Sequence, residues 1–310
     1  MDALILHHYR NSPFSEKVRA ILGHKKLAWK SVLVPAILPK PDVVALTGGY
    51  RKTPILQIGA DIYCDTALIC DILEHRQGTP ALYPPHLKGL ARALGQWADT
   101  TLFWTAMAYN FAPAGAQQVF AGQPPEAAKA LAEDRAKMRT AIPRLPAADA
   151  AAAYKSYLRR LANMLDEHPF LLGDAPCIAD FAAYHPLWFT RSITPALAGI
   201  FDATPGVVTW MNRMAAFGHG SEQRFDAAQA IALAAAATPA PLKDEPFQDE
   251  HGIALGTQVA ISGDAFGPEP AVGELIAATR MHYTLRRTDP RAGTVHVHLP
   301  RIGYVLKRAA

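Results

Sequence analysis

The stretch Tyr9-Arg10-Asn11-Ser12-Pro13-Phe14-Ser15-Glu16-Lys17-Val18-Arg19 decides the fold. Apolar residues precede it at Ala3-Leu4-Ile5-Leu6, as at the end of a buried strand. Ser12 is a preferred helix N-cap type, and Pro13 occupies the first helical position, where a missing N–H does no harm. Val18, Ile21 and Leu22 then recur at helical spacing. The reading is strand, tight turn, helix, with a hydroxyl at the helix N-terminus. Such a terminus carries unpaired N–H groups and partial positive charge, so it favours an anion placed against it.

Outward from that turn, residues 1–78 continue as mixed α/β. Leu4–His7 and Trp29–Val34 read as strands around a helix ending near Gly23, and prolines at 35, 39 and 41 mark an irregular link. Ile55–Ile58 and Asp61–Tyr63 flank Gly59-Ala60 as a hairpin, and Asp65 or Thr66 opens a helix carrying Leu68, Ile69, Ile72 and Leu73 on one face. A Pro/Gly linker follows. Residues 86–237 are rich in Ala and Leu, with helices expected at 88–110, 125–142, 150–168, 178–191, 206–217 and 222–237. A second linker at 238–246 leads to residues 247–310, which alternate apolar with polar residues as a small antiparallel sheet or barrel expected to pack on the helical domain. Its sharpest alternation runs unbroken from Leu275 to Arg286, and Asp289–Gly293 supplies the turn to Val295–Leu299.

Composition narrows the function. The 310 residues are 50% hydrophobic and 19% charged with a net charge of +4, which gives no basis for strong nucleic-acid binding. No apolar run spans a bilayer and the first residues lack a secretory pattern, so a cytoplasmic protein without membrane partners is expected. Cys64, Cys70 and Cys177 form no CxxC pair and read as small apolar residues in a reducing compartment.

The element order, the Thr53-Pro54-Ile55 turn and the helical domain after a short linker together resemble the cytosolic glutathione transferase family over residues 1–217. The resemblance implies an α+β multidomain protein: a thioredoxin-like α/β domain (1–78), an all-α domain (86–237) and, foreign to that architecture, the antiparallel β module (247–310). Ser12-Pro13-Phe14-Ser15-Glu16-Lys17-Val18-Arg19 resembles the C-P-F-A-E-R-x-R run of the omega class, with hydroxyls at both sulfur positions. Neither a protein disulfide nor a mixed disulfide with glutathione can therefore form there. The chemistry implied is conjugation, with glutathione as co-substrate and Ser12 donating a hydrogen bond to the glutathione thiolate. Thr53 before a cis Pro54 would pair its backbone with the cysteinyl part of the tripeptide. Asp65-Thr66 would receive the γ-glutamyl group at a helix N-terminus. Lys40 or Arg51 would meet the glycyl carboxylate. Phe14, Trp104, Tyr109 and Trp188 are candidates for a pocket holding a small hydrophobic electrophile. A homodimer is implied by the family. A weaker likeness of Gly48-Gly49-Tyr50-Arg51 to glutathione-dependent β-etherases offers a second substrate class, and the module leaves open an adaptor that binds without turnover.

Two further readings bear on structure. Phe170–Asp180 resembles the family's stretch before its buried helix, with Cys177 where a Ser or Thr usually caps and Asp180 returning the bond. In the module, two of the three registers compatible with the Asp289–Gly293 turn set His282 opposite His298 or His296. No carboxylate or thiol completes a ligand set, so the histidines read as a solvated face and no metal is expected. The charges split as well: six Lys/Arg against Asp289 in the last thirty residues, and seven acids against Lys243 in 241–274, read as two solvated faces of one barrel.

Overall fold

The computed structural model describes residues 2–142, 145–242 and 245–309, so Lys243 and Asp244 of the second linker lie outside the described residues. The N-terminal unit runs β1 (Ile5–His8), α1 (Pro13–His24), β2 (Ala28–Leu33), α2 (Pro41–Thr47), β3 (Ile55–Ile58), β4 (Asp61–Cys64) and α3 (Thr66–Arg76). β1 pairs parallel with β2 and antiparallel with β3, and β3 pairs antiparallel with β4 across the expected Gly59-Ala60 turn.

The helical unit follows. Residues 88–110 are helical throughout, as α4 (Lys88–Trp97), a π-turn (Ala98–Leu102) and α5 (Phe103–Asn110). Then come α6 (Pro113–Val119), α7 (Pro125–Met138), α8 (Ala147–Met164), α9 (Ile178–Ser192), a 3₁₀ turn (Pro195–Phe201) and α10 (Pro205–Ala215). The short α6 and the 3₁₀ turn are too brief to carry a periodic signal. The expected helix 222–237 begins late: Ser221–Arg224 is β5, paired parallel with β2, and only Ala227–Ala236 is helical (α11), capped by Asp226.

The module departs most from expectation. It contributes β6 (Gln258–Gly263), β7 (Ala271–Ala278), β8 (His282–Asp289), β9 (Gly293–Pro300) and β10 (Tyr304–Arg308). It does not form a separate barrel against the helices. β9 pairs parallel with β4, giving one ten-stranded sheet in the order β10-β6-β7-β8-β9-β4-β3-β1-β2-β5. The cause is the sheet edge. β4 alone would present a row of unpaired N–H and C=O groups, and so would β9; joining them removes both edges. It also merges cores, since Ile62 of β4 and Val297 of β9 sit opposite one another with no exposure. The alternating run 275–286 is likewise two strands. Thr279 Oγ1 accepts from the Met281 and His282 N–H groups and turns the chain, and the halves pair with Leu275 opposite Leu285. Because the alternation continues through the turn, one long strand and a hairpin look the same in sequence.

The sheet divides two cores. One face carries Leu6 and Leu56 against α1, α3 and the helical unit; the other carries Ile5, Ile55, Ile62 and Val297 against α2 and α11. The charge-split segments pair with each other and with α2: Arg286 with Glu274 (2.7 Å), Arg301 with Glu250 (2.6 Å) and Arg291 with Asp42 (2.5 Å). Among the described residues no helix is long and apolar enough to cross a membrane.

Candidate active site

Strand direction gathers the predicted residues. β1 runs into Ser12; β3 starts opposite its end, with Ile55 beside His7; β4, antiparallel to β3, finishes with Cys64 beside Ile55. Ser12, Thr53-Pro54 and Asp65-Thr66 therefore emerge at one end of the sheet.

Ser12 is the extended N-cap of α1, 2% exposed, and its Oγ accepts from the Ser15 N–H at 3.2 Å. Among the described residues nothing accepts its hydroxyl hydrogen, which leaves that hydrogen for a ligand. The Thr53–Pro54 bond is cis, and among the described residues no hydrogen bond uses the Thr53 main chain. Asp65 caps α3 through Ala67 N at 2.9 Å with φ 75° and ψ 137°, a conformation that costs a non-glycine residue about 1–3 kcal/mol. Thr66 accepts from Lys17 Nζ at 3.4 Å.

Lys17 leads to a charged cluster that sequence reading missed. Its fully buried Nζ lies 2.5 Å from Asp99 in the π-turn, and His185 Nε2 of α9 meets the same carboxylate at 2.9 Å. Burial opposes ionisation of Asp99, but Lys17 and His185 outweigh it and hold the carboxyl below the usual range. The π-turn inside an otherwise regular helix brings Asp99 to this point. No local pattern marks it, since three separate elements meet there.

The basic candidates serve inside the protein. Arg51, 3% exposed, pairs with Asp134 of α7 and with Glu269 of the module, each at 2.6 Å. Lys40 Nζ donates to the Arg51 carbonyl at 3.1 Å; burial, with Arg135 and Arg51 close by, brings its pKa down to about 8. The module also reaches the acidic pair. Tyr304, the first residue of β10, donates to Asp65 Oδ2 at 2.9 Å and lies 3.2 Å from the Tyr50 hydroxyl. Lys52 Nζ sits 4.4 Å over the Tyr304 ring. Gly48 and Gly49, noted in the sequence for a different reason, admit the module. A Cβ on Gly49 (φ 132°) would lie 2.2 Å from the Pro270 carbonyl oxygen.

The aromatic candidates pack on different neighbours. Phe14 packs on Phe103 (4.6 Å between centroids) and His185 (4.7 Å), and Trp104 packs on Phe103 (4.9 Å) and on Phe266 of the module (5.0 Å). Tyr109 instead bonds the Leu197 carbonyl at 3.1 Å and faces Tyr154 in the helical core, and Trp188 lies beside Arg19. At the start of α9, Asp180 accepts from Cys177 N, Leu171 N and Trp210 Nε1, each at 2.9 Å. All three cysteines are buried and free, and burial pushes the Cys70 and Cys177 thiols up to about 12, which makes them inert packing groups.

Comparison with known proteins fits this arrangement. Residues 6–81 match the glutathione S-transferase N-terminal domain and residues 130–213 the C-terminal domain. A GST-like protein from Pseudomonas syringae is 42% identical, covers 100% of both chains and superposes with a TM-score of 0.84. The chain belongs to the glutathione S-transferase family. Because that relative is covered from end to end, the β module is common ground between the two chains. A glutathione S-transferase from Rhodospirillum rubrum (19% identity, 68% of this chain and 87% of that one, TM-score 0.51) shares the fold alone. So does a β-etherase from Sphingobium (18%, 69% and 95%, TM-score 0.52). A search of curated proteins finds no match. In this glutathione S-transferase family member, then, the site end of the sheet carries a wall from the C-terminal module that residues 1–237 alone cannot provide.

Proposed function

We propose that the protein binds glutathione between Ser12, Thr53 and Asp65-Thr66 and activates its thiol for attack on a small hydrophobic electrophile. The observation that carries this reading is Asp65, a non-glycine residue at φ 75° on the α3 N-terminus, in line with Thr53 and Ser12 at the same sheet end. Strain of that kind persists where the surroundings over-determine it, and such residues cluster at binding sites. Free thiol has a pKa near 8.5 and is only a few per cent ionised at neutral pH. The Ser12 hydroxyl and the Phe14 N–H, with the partial positive charge of the α1 N-terminus, stabilise the thiolate, since the Ser15 and Glu16 N–H groups are already given to Ser12. Proline at the first position removes one N–H, so the hydroxyl carries more of the task. Ser12 forms no covalent bond in this scheme: the thiolate attacks the electrophile, and the leaving group departs with the electron pair.

Calorimetry with glutathione, followed by conjugation of a generic aryl halide, tests the reading. Ser12→Ala should lower kcat/KM about 10²-fold while glutathione still binds. Binding by the wild type without turnover would remove the transferase reading, and absence of binding would remove the site. Light scattering on the same preparation checks the homodimer expected of the family.

One contact favours a second reading, a binding protein with a weak or regulated site: the Tyr304 hydroxyl already engages Asp65 Oδ2 at 2.9 Å. Tyr304→Phe separates the two. If Tyr304 orients the Asp65 carboxylate for the ligand, glutathione binds more weakly in the variant. If the module holds the site shut, it binds more tightly.

A further inference from the structure

We propose that Asp61, His296 and His298 form a binding site for a divalent transition-metal ion, with Zn²⁺ as the fitting case, on the seam between β4 and β9. The inference is independent of glutathione binding.

His296 and His298 are two apart on one strand, so their side chains leave the same face of the sheet. In sequence they lack a third ligand. The parallel pairing supplies it by setting Asp61 beside His296, so the carboxylate joins the histidine face from the other unit. The β8–β9 hairpin takes the third of the registers compatible with its turn. Thr284, not His282, stands opposite His298, and His282 faces Pro300.

The ligand atoms lie within 4.8 Å of one another. His298 Nε2 is 2.8 Å and His296 Nδ1 3.8 Å from Asp61 Oδ1. Donors at about 2.0–2.2 Å around a tetrahedral zinc stand about 3.3–3.5 Å apart, so the two separations bracket what is needed.

Two further features point to a ligand. His296 Nδ1 is buried without a hydrogen-bond partner, an orphan that a metal would satisfy. The outer contacts are those of metal ligands. Thr284 Oγ1 lies 3.0 Å from His298 Nδ1: without metal it donates to Nδ1 while Nε2–H donates to Asp61, and with a metal on Nε2 the proton sits on Nδ1 and the same hydroxyl accepts it. Asp61 Oδ2 accepts from Ala240 N at 2.8 Å, which turns Oδ1 toward the histidines. Tyr63 stacks on the His298 ring at 4.5 Å and 14°, fixing its plane. Two imidazoles and one carboxylate suit zinc and its first-row neighbours better than calcium or magnesium, which take all-oxygen sets. The fourth position falls to water. Since the ligands come from two units, the ion would clamp the module to the N-terminal sheet.

The test uses the full-length chain with any affinity tag removed, stripped with chelator and titrated with Zn²⁺ by calorimetry, with metal content read by mass spectrometry. The expected result is one Zn²⁺ per chain and a rise in Tm on adding metal. His296→Gln leaves the Asp61–His298 hydrogen bond in place, so it should fold; it should bind at least about tenfold more weakly and lose the Tm rise. Asp61→Asn, with native folding confirmed by circular dichroism, should weaken binding in the same way. The site is disproved if the wild type takes up no stoichiometric zinc, or if a folded variant binds as tightly as the wild type.

Discussion

At the scale of single residues, charge placement inside the protein has measurable consequences. The Lys17–Asp99–His185 cluster buries an ammonium with almost no exposure, and removing one partner leaves the other uncompensated. Asp99→Asn should therefore destabilise the protein by about 3–5 kcal/mol in chemical denaturation at neutral pH. Its pH dependence has a definite sign. The folded-state pKa of Asp99 lies below the ordinary carboxylate value, so its contribution is fully present above about pH 4 and is lost as pH falls through the folded pKa. The Tm of the wild type should fall more steeply below pH 4 than that of the Asp99→Asn variant; parallel curves would refute the assignment. Cys177 makes a different case. A hydroxyl caps a helix better than a thiol, so Cys177→Ser should be neutral or stabilising by up to about 1 kcal/mol in a thermal melt. A clear loss would mean that the fully buried sulfur acts mainly through packing.

At the scale of elements, helices with strong periodic faces were legible from sequence, because their pattern depends only on one helix meeting one core. α9 starts at Ile178 as its cap signals require, and 88–110 is helical as expected. Elements whose identity depends on a distant neighbour were not legible. Ser221–Arg224 is a polar stretch that becomes β5 only because the β2 edge is there to pair with. The run 275–286 hides a hairpin for the reason of parity already given. Gly48 has a local role, closing α2 in the left-handed conformation at φ 76°, but the need for Gly49 is not legible locally, because the module's Pro270 carbonyl passes against it. Gly49→Ala should be strained at φ 132° and clash with Pro270. Limited proteolysis should then cut within residues 247–310 faster than in the wild type, whereas unchanged cleavage would mean the docking tolerates the methyl group.

At the scale of the whole molecule, the ten-stranded sheet makes the module part of the N-terminal unit. A chain ending at residue 246 would expose the β4 edge and leave Arg51, 3% exposed in the intact protein, without Glu269. Such a chain should self-associate on size-exclusion chromatography and lose a sharp melt; a monomeric, cooperatively melting truncation would contradict the merged-sheet account. The sequence by itself determined the order of the elements and Ser12 as a helix cap, since those signals are local caps, turns and periodic faces read within a few residues; its resemblance to the glutathione transferase family then implied the two-domain architecture and Ser12, Thr53-Pro54 and Asp65-Thr66 as site candidates. Only the tertiary structure decided where the module sits, that Tyr304 and Glu269 reach the N-terminal candidates, and that Asp61 stands beside two histidines more than two hundred residues away. Strand pairing and buried ion pairs join residues that no short-range pattern connects, and a free sheet edge constrains which partner it takes only once the whole chain has folded.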